Sequence, residues 1–227
     1  MDKKLEEFIN LHDIFHSCGY SLYLVGGAVR DYLLNIPLTD MDLVTNATPE
    51  EMKLFLKGAD FTFARFGSVK YKFNDVKFDI TTLRKEKHYQ DNRHPLEVKF
   101  ISSLKVDAKR RDFTLNGLYM DEHFHVLDYV HGKENINQKV IKMIGNPDKR
   151  IKEDPLRIIR AIRFAIDLDF NIDSELSNSM KKNITLINKL TFEKVKQEIH
   201  KIKNIHSDKV NSLFNEFNIK HLLVVIE

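Results

Sequence analysis

The sequence predicts an α+β part with a mainly antiparallel sheet over residues 1–148, followed by an all-helical part over residues 149–227. Three observations predict this. Helix and strand signals alternate until Gly145-Asn146-Pro147, where the strand signals stop. Residues 69–73 and 76–80 alternate apolar and polar side chains around Asn74-Asp75, the pattern of a two-residue hairpin. Beyond Pro147, apolar residues recur at helical spacing almost to the end.

The elements follow in order. Residues 2–18 read as a helix because Leu5, Phe8, Ile9, Leu11 and Phe15 fall near a 3.6-residue period. Residues 20–25 read as a strand, 27–34 as a short helix and 38–44 as extended chain. Thr48-Pro49-Glu50-Glu51 marks a helix start, with a capping Thr, Pro at the first position and acids in the first turn. The Phe-rich run 61–66 is expected as a core strand, and the polar run 84–95 as a loop. An amphipathic stretch over 98–111 leads to Arg110-Arg111-Asp112. Strands near 118–120 and 126–129 flank a polar turn.

Composition bounds the function classes. The chain has 227 residues, 42% hydrophobic and 30% charged, enough for a real core under a charged surface. Cys18 stands alone, which excludes an internal disulfide and a cysteine zinc site; it is expected as a buried small residue at a helix end. No apolar run is long enough to cross a membrane, and the polar N-terminus does not suit a signal peptide, so a cytoplasmic protein is expected. The net charge of +3 is mild, but residues 181–227 hold nine lysines against five acids. Such a segment is either a solvated helix face or a surface for a phosphate backbone.

The chemistry concentrates in three blocks. In the first, Val25-Gly26-Gly27-Ala28-Val29-Arg30-Asp31 is followed by Asp40-Met41-Asp42. Gly26 and Gly27 leave bare backbone at a helix start, where a triphosphate can approach, and Arg30 adds positive charge. Residues two apart on a strand share a face, so Asp40 and Asp42 can hold one or two divalent ions. Asp79 is a third carboxylate on a neighbouring strand, suited to polarising an attacking hydroxyl or completing a metal shell. Together these suggest metal-assisted transfer of a nucleotide.

In the second block, Arg110-Arg111-Asp112-Phe113-Thr114-Leu115-Asn116, charge passes directly into apolar residues, which suggests a pocket wall; Arg111 is suited to a triphosphate or a ribose. In the third, Glu153-Asp154-Pro155-Leu156-Arg157, Asp154, Arg157, Arg160 and Arg163 recur every three residues and sweep one broad helix face. That face is either solvated or used. Asp154 accepts and Arg157 donates, so the pair can match the Watson–Crick edge of cytosine or adenine, leaving Arg160 and Arg163 for phosphates. His123 and His125 lie near a turn with no third ligand in sight.

In order and spacing, the three blocks resemble the class II tRNA nucleotidyltransferase and bacterial poly(A) polymerase family from about residue 20 to 165. The resemblance implies a polymerase-β-like nucleotidyltransferase head followed by a helical neck that selects nucleotides and binds RNA. It implies two-metal addition of C, C and A to the tRNA 3′ end from CTP and ATP, with Mg2+ and without a nucleic-acid template. The alternatives are a poly(A) polymerase or A-adding enzyme of the same family and, further off, a noncatalytic RNA-binding relative. Catalytic roles carry over to Asp40, Asp42 and Asp79, with Asp40 and Asp42 as metal ligands. Nucleotide binding carries over to Gly26, Gly27, Arg30, Arg111, Asp112, Glu153, Asp154, Arg157, Arg160 and Arg163. Family members continue into helical body and tail domains that grip tRNA, which are expected to be absent here. Asp128-Tyr129-Val130-His131-Gly132 loosely matches the family's hinge motif. The run 85–95 is one that members restricted to adding CC are expected to lack in part, which favours full CCA addition. The sequence sets no oligomeric state.

Overall fold

A computed structural model describes residues 2–89, 95–203 and 205–226. Helix α1 (Lys3–Ser17) begins where the Asp2 side chain accepts the Lys4 N–H, and Leu5, Phe8, Leu11 and Phe15 along it are buried. Strand β1 (Leu22–Val25) leads into α2 (Gly27–Leu33), β2 (Met41–Thr45) and α3 (Pro49–Phe55). Thr48 caps α3 as expected, and with Glu51 it forms a capping box, each side chain satisfying the other residue's amide. Then come β3 (Ser68–Phe73), β4 (Val76–Thr82), β5 (Arg84–Tyr89), β6 (Pro95–Phe100), α4 (Leu104–Ala108), β7 (Leu118–Met120) and β8 (Val126–Asp128). The remainder is α5 (Gly132–Asn137), β9 (Val140–Ile141), α6 (Pro147–Glu153), α7 (Leu156–Asp167), β10 (Asn171–Ile172), α8 (Ser174–Asn183), α9 (Phe192–Ile199) and α10 (Asp208–Glu216), with short 3-10 turns between.

Contacts divide the chain into two compact units. The first comprises residues 2–88 and 95–133, the second residue 89 and the described residues from 134 onward. The sequence signals change near residue 148, whereas the contact boundary falls inside α5.

The first unit is built on a six-stranded sheet of order β3-β4-β2-β1-β7-β8. Every neighbouring pair is antiparallel except β2–β4. Val25, Val44, Leu83, Ala108 and Tyr119 form a buried cluster, against which Tyr23, Ile101, Leu104, Leu127 and Val130 pack. Leu22, Leu24 and Leu43 alternate to the other face and are equally buried. The Asn74-Asp75 hairpin forms as expected, with φ of 44° and 69° at its two turn residues, the left-handed pair of a type I′ turn. In the second unit α7 packs against α9 and α10, and α6 against α8, with one two-residue parallel ladder, β9–β10, among the helices.

Three expectations are corrected. Residues 61–66 form a turn and a 3-10 helix (Ala64–Phe66), not a core strand, and Phe63 is 50% exposed. The Asp60 carboxylate accepts both the Thr62 N–H (2.8 Å) and its hydroxyl (2.6 Å), and so stabilises a turn where aromatic content suggests a strand. The expected loop over 84–95 contains β5 and the start of β6, paired as a two-stranded sheet; residues 90–94 of it lie outside the described residues. A polar ribbon pairs through its backbone and needs no hydrophobic alternation. Cys18 is exposed and not buried: it stands at the C-cap of α1, where its backbone N–H, not its side chain, closes the helix.

Candidate functional site

Gly26 closes β1 and opens α2 with φ 70° and ψ −124°, a conformation that a side chain would strain. Its N–H donates to Leu118 O at 3.1 Å, which ties the helix start to β7. A methyl placed on Gly26 would lie 3.6 Å from Arg111 Nη1, and one on Gly27 3.6 Å from Arg30 Nη2. Two guanidinium groups therefore lie over two bare backbone positions.

Each of those groups is oriented by acceptors. Arg30 pairs with Asp31 (Nη2–Oδ1 2.7 Å) and donates from Nη1 to Asn116 Oδ1 at 2.9 Å. Asn116 donates in turn to Asp112 Oδ1 (3.3 Å), which also accepts the Phe113 N–H (2.7 Å). Asp112 thus holds the turn that carries Asn116. Arg111 donates from Nε to Asp107 Oδ2 (3.2 Å) and to the Tyr119 hydroxyl (3.3 Å), and lies over the Tyr119 ring.

Asp107 is the hub that the sequence reading missed. It is fully buried, yet it accepts from Arg110 Nε (2.7 Å), the Arg84 N–H (3.1 Å) and the Tyr119 hydroxyl (2.8 Å) as well as from Arg111. Burial works against its charge, but the Arg110 and Arg111 guanidinium groups outweigh burial and hold the carboxyl below its usual range. Burial likewise opposes the charge on Arg111, and Asp107 foremost outweighs it, so that group stays more firmly protonated than usual. A signal was available: an acid three and four residues before a pair of arginines has the spacing of helical ion pairs.

Asp42 and Asp79 lie on the parallel pair of the six-stranded sheet, β2 and β4. Its register sets Asp42 of β2 directly beside Asp79 of β4. Asp40 lies one residue before β2 begins and is exposed. Asp79 is paired across the β3–β4 hairpin with Lys70 (Nζ–Oδ1 3.1 Å), a partner the sequence reading did not foresee. Burial pushes the Asp42 carboxyl up to about 6; Asp79 adds to the shift, Arg111 opposes it, Asp40 adds and Lys70 opposes.

Among the described residues, no group of three or more His, Cys, Asp or Glu side chains is gathered closely enough to hold an ion by itself. The donor chemistry at Asp40 and Asp42 nevertheless suits a hard divalent cation. The ligands are oxygen, their charge is under-compensated, and such an ion completes its shell with water and substrate phosphates. His123 and His125 face acids, with His123 Nε2 3.4 Å from Glu122 and His125 Nδ1 3.3 Å from Asp121.

In the second unit, Glu153 ends α6, Asp154 follows it and Pro155 precedes α7. Asp154 Oδ1 accepts the Leu156 N–H at 3.1 Å and so helps start α7. Arg157 is 5% exposed, which departs from the open charged face that the three-residue spacing suggests. Its Nη1 donates to Arg150 O (2.5 Å) and lies 3.4 Å from Glu153 Oε2, which also takes Arg150 Nη1 at 2.6 Å. Arg160 and Arg163 converge on one acid of α9: Glu198 Oε1 lies 3.5 Å from Arg160 Nη1 and 2.7 Å from Arg163 Nε. Glu198 is buried and also pairs with Lys201. It too escaped the sequence reading, because it lies 35 residues beyond the motif it serves.

The strand order of the first unit, Asp42 and Asp79 on its parallel pair and its Gly-Gly helix start make up an α+β head domain of the poly A polymerase type. Residues 22–142 match the family model described as the poly A polymerase head domain, and the chain belongs to that family. The CCA-adding enzyme of Listeria monocytogenes is 42% identical over 182 residues, which is 80% of this chain and 46% of that protein. The CCA-adding enzyme of Lactobacillus helveticus is 39% identical over 206 residues, 89% of this chain and 51% of that one. The solved Bacillus stearothermophilus CCA-adding enzyme in complex with CTP superposes with a TM-score of 0.86 at 29% identity, covering 98% of this chain and 53% of that one. The chain thus spans about half the length of the relatives it matches. Among the described residues no helix is long and apolar enough to cross a membrane.

Proposed function

We propose that this chain carries the nucleotide-transferring portion of a cytoplasmic CCA-adding enzyme. It adds C, C and A to the 3′ end of tRNA from CTP and ATP, without a nucleic-acid template. One observation carries the reading: a bare Gly26-Gly27 helix start lies under two anchored guanidinium groups, in the same unit as the adjacent Asp42 and Asp79 carboxylates. The relatives named CCA-adding enzymes support it, as do solved neighbours described in complex with CTP, with ATP and with tRNA.

The chemistry follows from the residues. The tRNA 3′-oxygen forms a bond to the α-phosphorus in line with the pyrophosphate, whose bond breaks. Gly26 and Gly27 let the triphosphate approach backbone, and Arg30 and Arg111 meet the charge that builds on the leaving group. Asp31, Asn116 and Asp107 orient both guanidinium groups beforehand, so little reorganisation is needed during reaction. Asp40 and Asp42 would hold Mg2+, which supplies Lewis acidity toward the attacking hydroxyl and the phosphates. Asp79, beside Asp42, polarises that hydroxyl or completes the metal shell. In the second unit, Asp154 accepts from the exocyclic amine of cytosine or adenine, while Arg157 donates to the ring acceptors through the nitrogens that Glu153 and Arg150 do not engage. Arg160 and Arg163 carry charge toward phosphates.

The test is transfer to labelled tRNA lacking its 3′ end, in Mg2+, with CTP alone, ATP alone or both. Two C residues and one A, then arrest, supports the reading. A long A tail, or a lone A on a CC-ended acceptor, assigns the chain to the related specificity instead. The Asp154→Ala variant should relax the choice among nucleotides more than it weakens triphosphate binding, and an unchanged preference for CTP and ATP would remove the template role.

A further inference from the structure

Seven residues, 34–40, connect α2 to β2 without helix or strand, and Asp40 is the last of them. Near α2 the connection is fastened by its own backbone: the Asn35 N–H donates to Tyr32 O (3.2 Å) and the Ile36 N–H to Asp31 O (2.9 Å). At its other end it is fastened by a side chain from far away in the sequence. Lys4 Nζ donates to Leu38 O (2.5 Å) and to Thr39 O (3.0 Å), the two carbonyls immediately before Asp40. Lys4 belongs to α1, which is fixed in the core by Phe8, Leu11 and Phe15, none of them exposed. One turn further along α1, Glu7 accepts from Asn74 Nδ2 at 2.9 Å. Asn74 is in the turn that opens β4, the strand of Asp79. The same helix end therefore reaches the chain just ahead of both carboxylate-bearing strands.

We propose that Lys4 is a positioning residue for Asp40, and through it for the cation that Asp40 and Asp42 would hold; the inference rests on the metal reading of that pair. A single ammonium group shared by two consecutive carbonyls restricts the backbone that delivers the Asp40 carboxylate. Without it the carboxylate samples more positions, and the cost falls on cation binding and turnover. Nucleotide affinity, supplied by the glycine pair and its two arginines, is spared.

The experiment titrates the full chain with Mn2+ and reads free ion by electron paramagnetic resonance, for the wild type, Asp40→Asn, Lys4→Met and Lys4→Arg. Lys4→Met should weaken Mn2+ binding by about 10-fold or more, the usual scale for losing a residue that orients a metal ligand. Lys4→Arg keeps a donor for both carbonyls and should recover most of that loss. In transfer assays Lys4→Met should lower kcat while KM for CTP holds. Unchanged Mn2+ affinity in Lys4→Met, beside weakened binding in Asp40→Asn, would overturn the inference and leave the metal reading standing; a shifted melting temperature alone would then assign Lys4 to loop packing. Equal losses in Lys4→Arg and Lys4→Met would overturn it as well. Wild-type Mn2+ binding in Asp40→Asn would remove the metal reading and the inference with it.

Discussion

The two units share one device, an acid that holds an arginine, and differ in what stands beside it. In the first, Asp107 holds Arg111 by Nε while Nη1 of the same group lies over Gly26, and Asp31 and Asn116 together take the three nitrogens of Arg30. Asp42 is left half-buried beside Asp79, and burial foremost, then Asp79, raises its carboxyl. In the second unit each motif arginine is met by an acid of its own unit, Arg157 by Glu153 and Arg160 and Arg163 by the buried Glu198. An arginine in a motif is therefore no evidence of a free cation. In both units an acid of the same unit meets the motif arginines; what separates the units is that the first also sets two carboxylates, Asp42 and Asp79, side by side.

The contrast breaks most sharply at Asp107. Asp107→Ala leaves Arg110 and Arg111 partly buried without their shared acceptor, and should destabilise the chain by about 3–5 kcal/mol, measured by urea unfolding. A loss under 1 kcal/mol, roughly the worth of an exposed ion pair, would mean that the hub is not structural. Asp42→Asn should act in the opposite sense. Transfer should fall by about 10²–10³-fold or more, the scale of losing one electrostatic stabiliser of a transition state. The melting temperature should not fall, because a crowded, half-buried charge is removed. Normal turnover in that variant would remove Asp42 from the site.

Much of the first unit is legible in the sequence because its signals are local. The hairpin turn, the capping box and the Gly-Gly helix start each fit within a few residues, and the period-two alternation gives the sheet faces. The register that sets Asp42 beside Asp79 is not local, and neither is the Lys70 partner of Asp79; both depend on which strands pair. The same limit explains the second unit. The three-residue recurrence of Arg157, Arg160 and Arg163 places them on α7 correctly, but periodicity is silent on the acid that meets them, since Glu198 arrives on another helix. The burial of Arg157 follows from its position in the first turn of α7, against Arg150 and Glu153 of α6. Aromatic content misled at residues 61–66 because one side-chain turn at Asp60 outweighed strand propensity.

Smaller effects sharpen the comparison within the second unit. Glu198→Gln keeps the shape and removes the charge that Arg160, Arg163 and Lys201 share. It should cost about 1.5–3 kcal/mol in unfolding, the range for hydrogen bonds to charged groups. If the acid only neutralises the arginines, the variant should bind triphosphate more tightly in filter-binding at low salt. If it also orients them, binding should weaken, and the sign of the change decides between the two.

The smallest expected effect is a pH dependence at Asp148 of α6. Its carboxylate takes Lys152 Nζ at 2.6 Å and Asn183 Nδ2 at 2.8 Å, with Lys182 at 3.4 Å, and so ties α6 to the end of α8. Hydrogen bonds from Lys152 and Asn183 lower its pKa from an ordinary 3.8 to about 2, against a smaller opposing effect of burial. Because the folded value lies below the unfolded one, the stabilisation is complete above about pH 4. It disappears as the pH falls through about 2, where the folded state also takes up the proton. The difference in urea midpoint between the wild type and Asp148→Asn should therefore be constant from pH 7 to about pH 5 and shrink steadily below pH 4. Other acids with lowered pKa values, Asp169 among them, titrate in both proteins and cancel in that difference. A gap that stays constant down to pH 2 would mean that the Asp148→Asn variant loses packing and not charge, and the α6–α8 contact would then belong with the apolar core of the second unit.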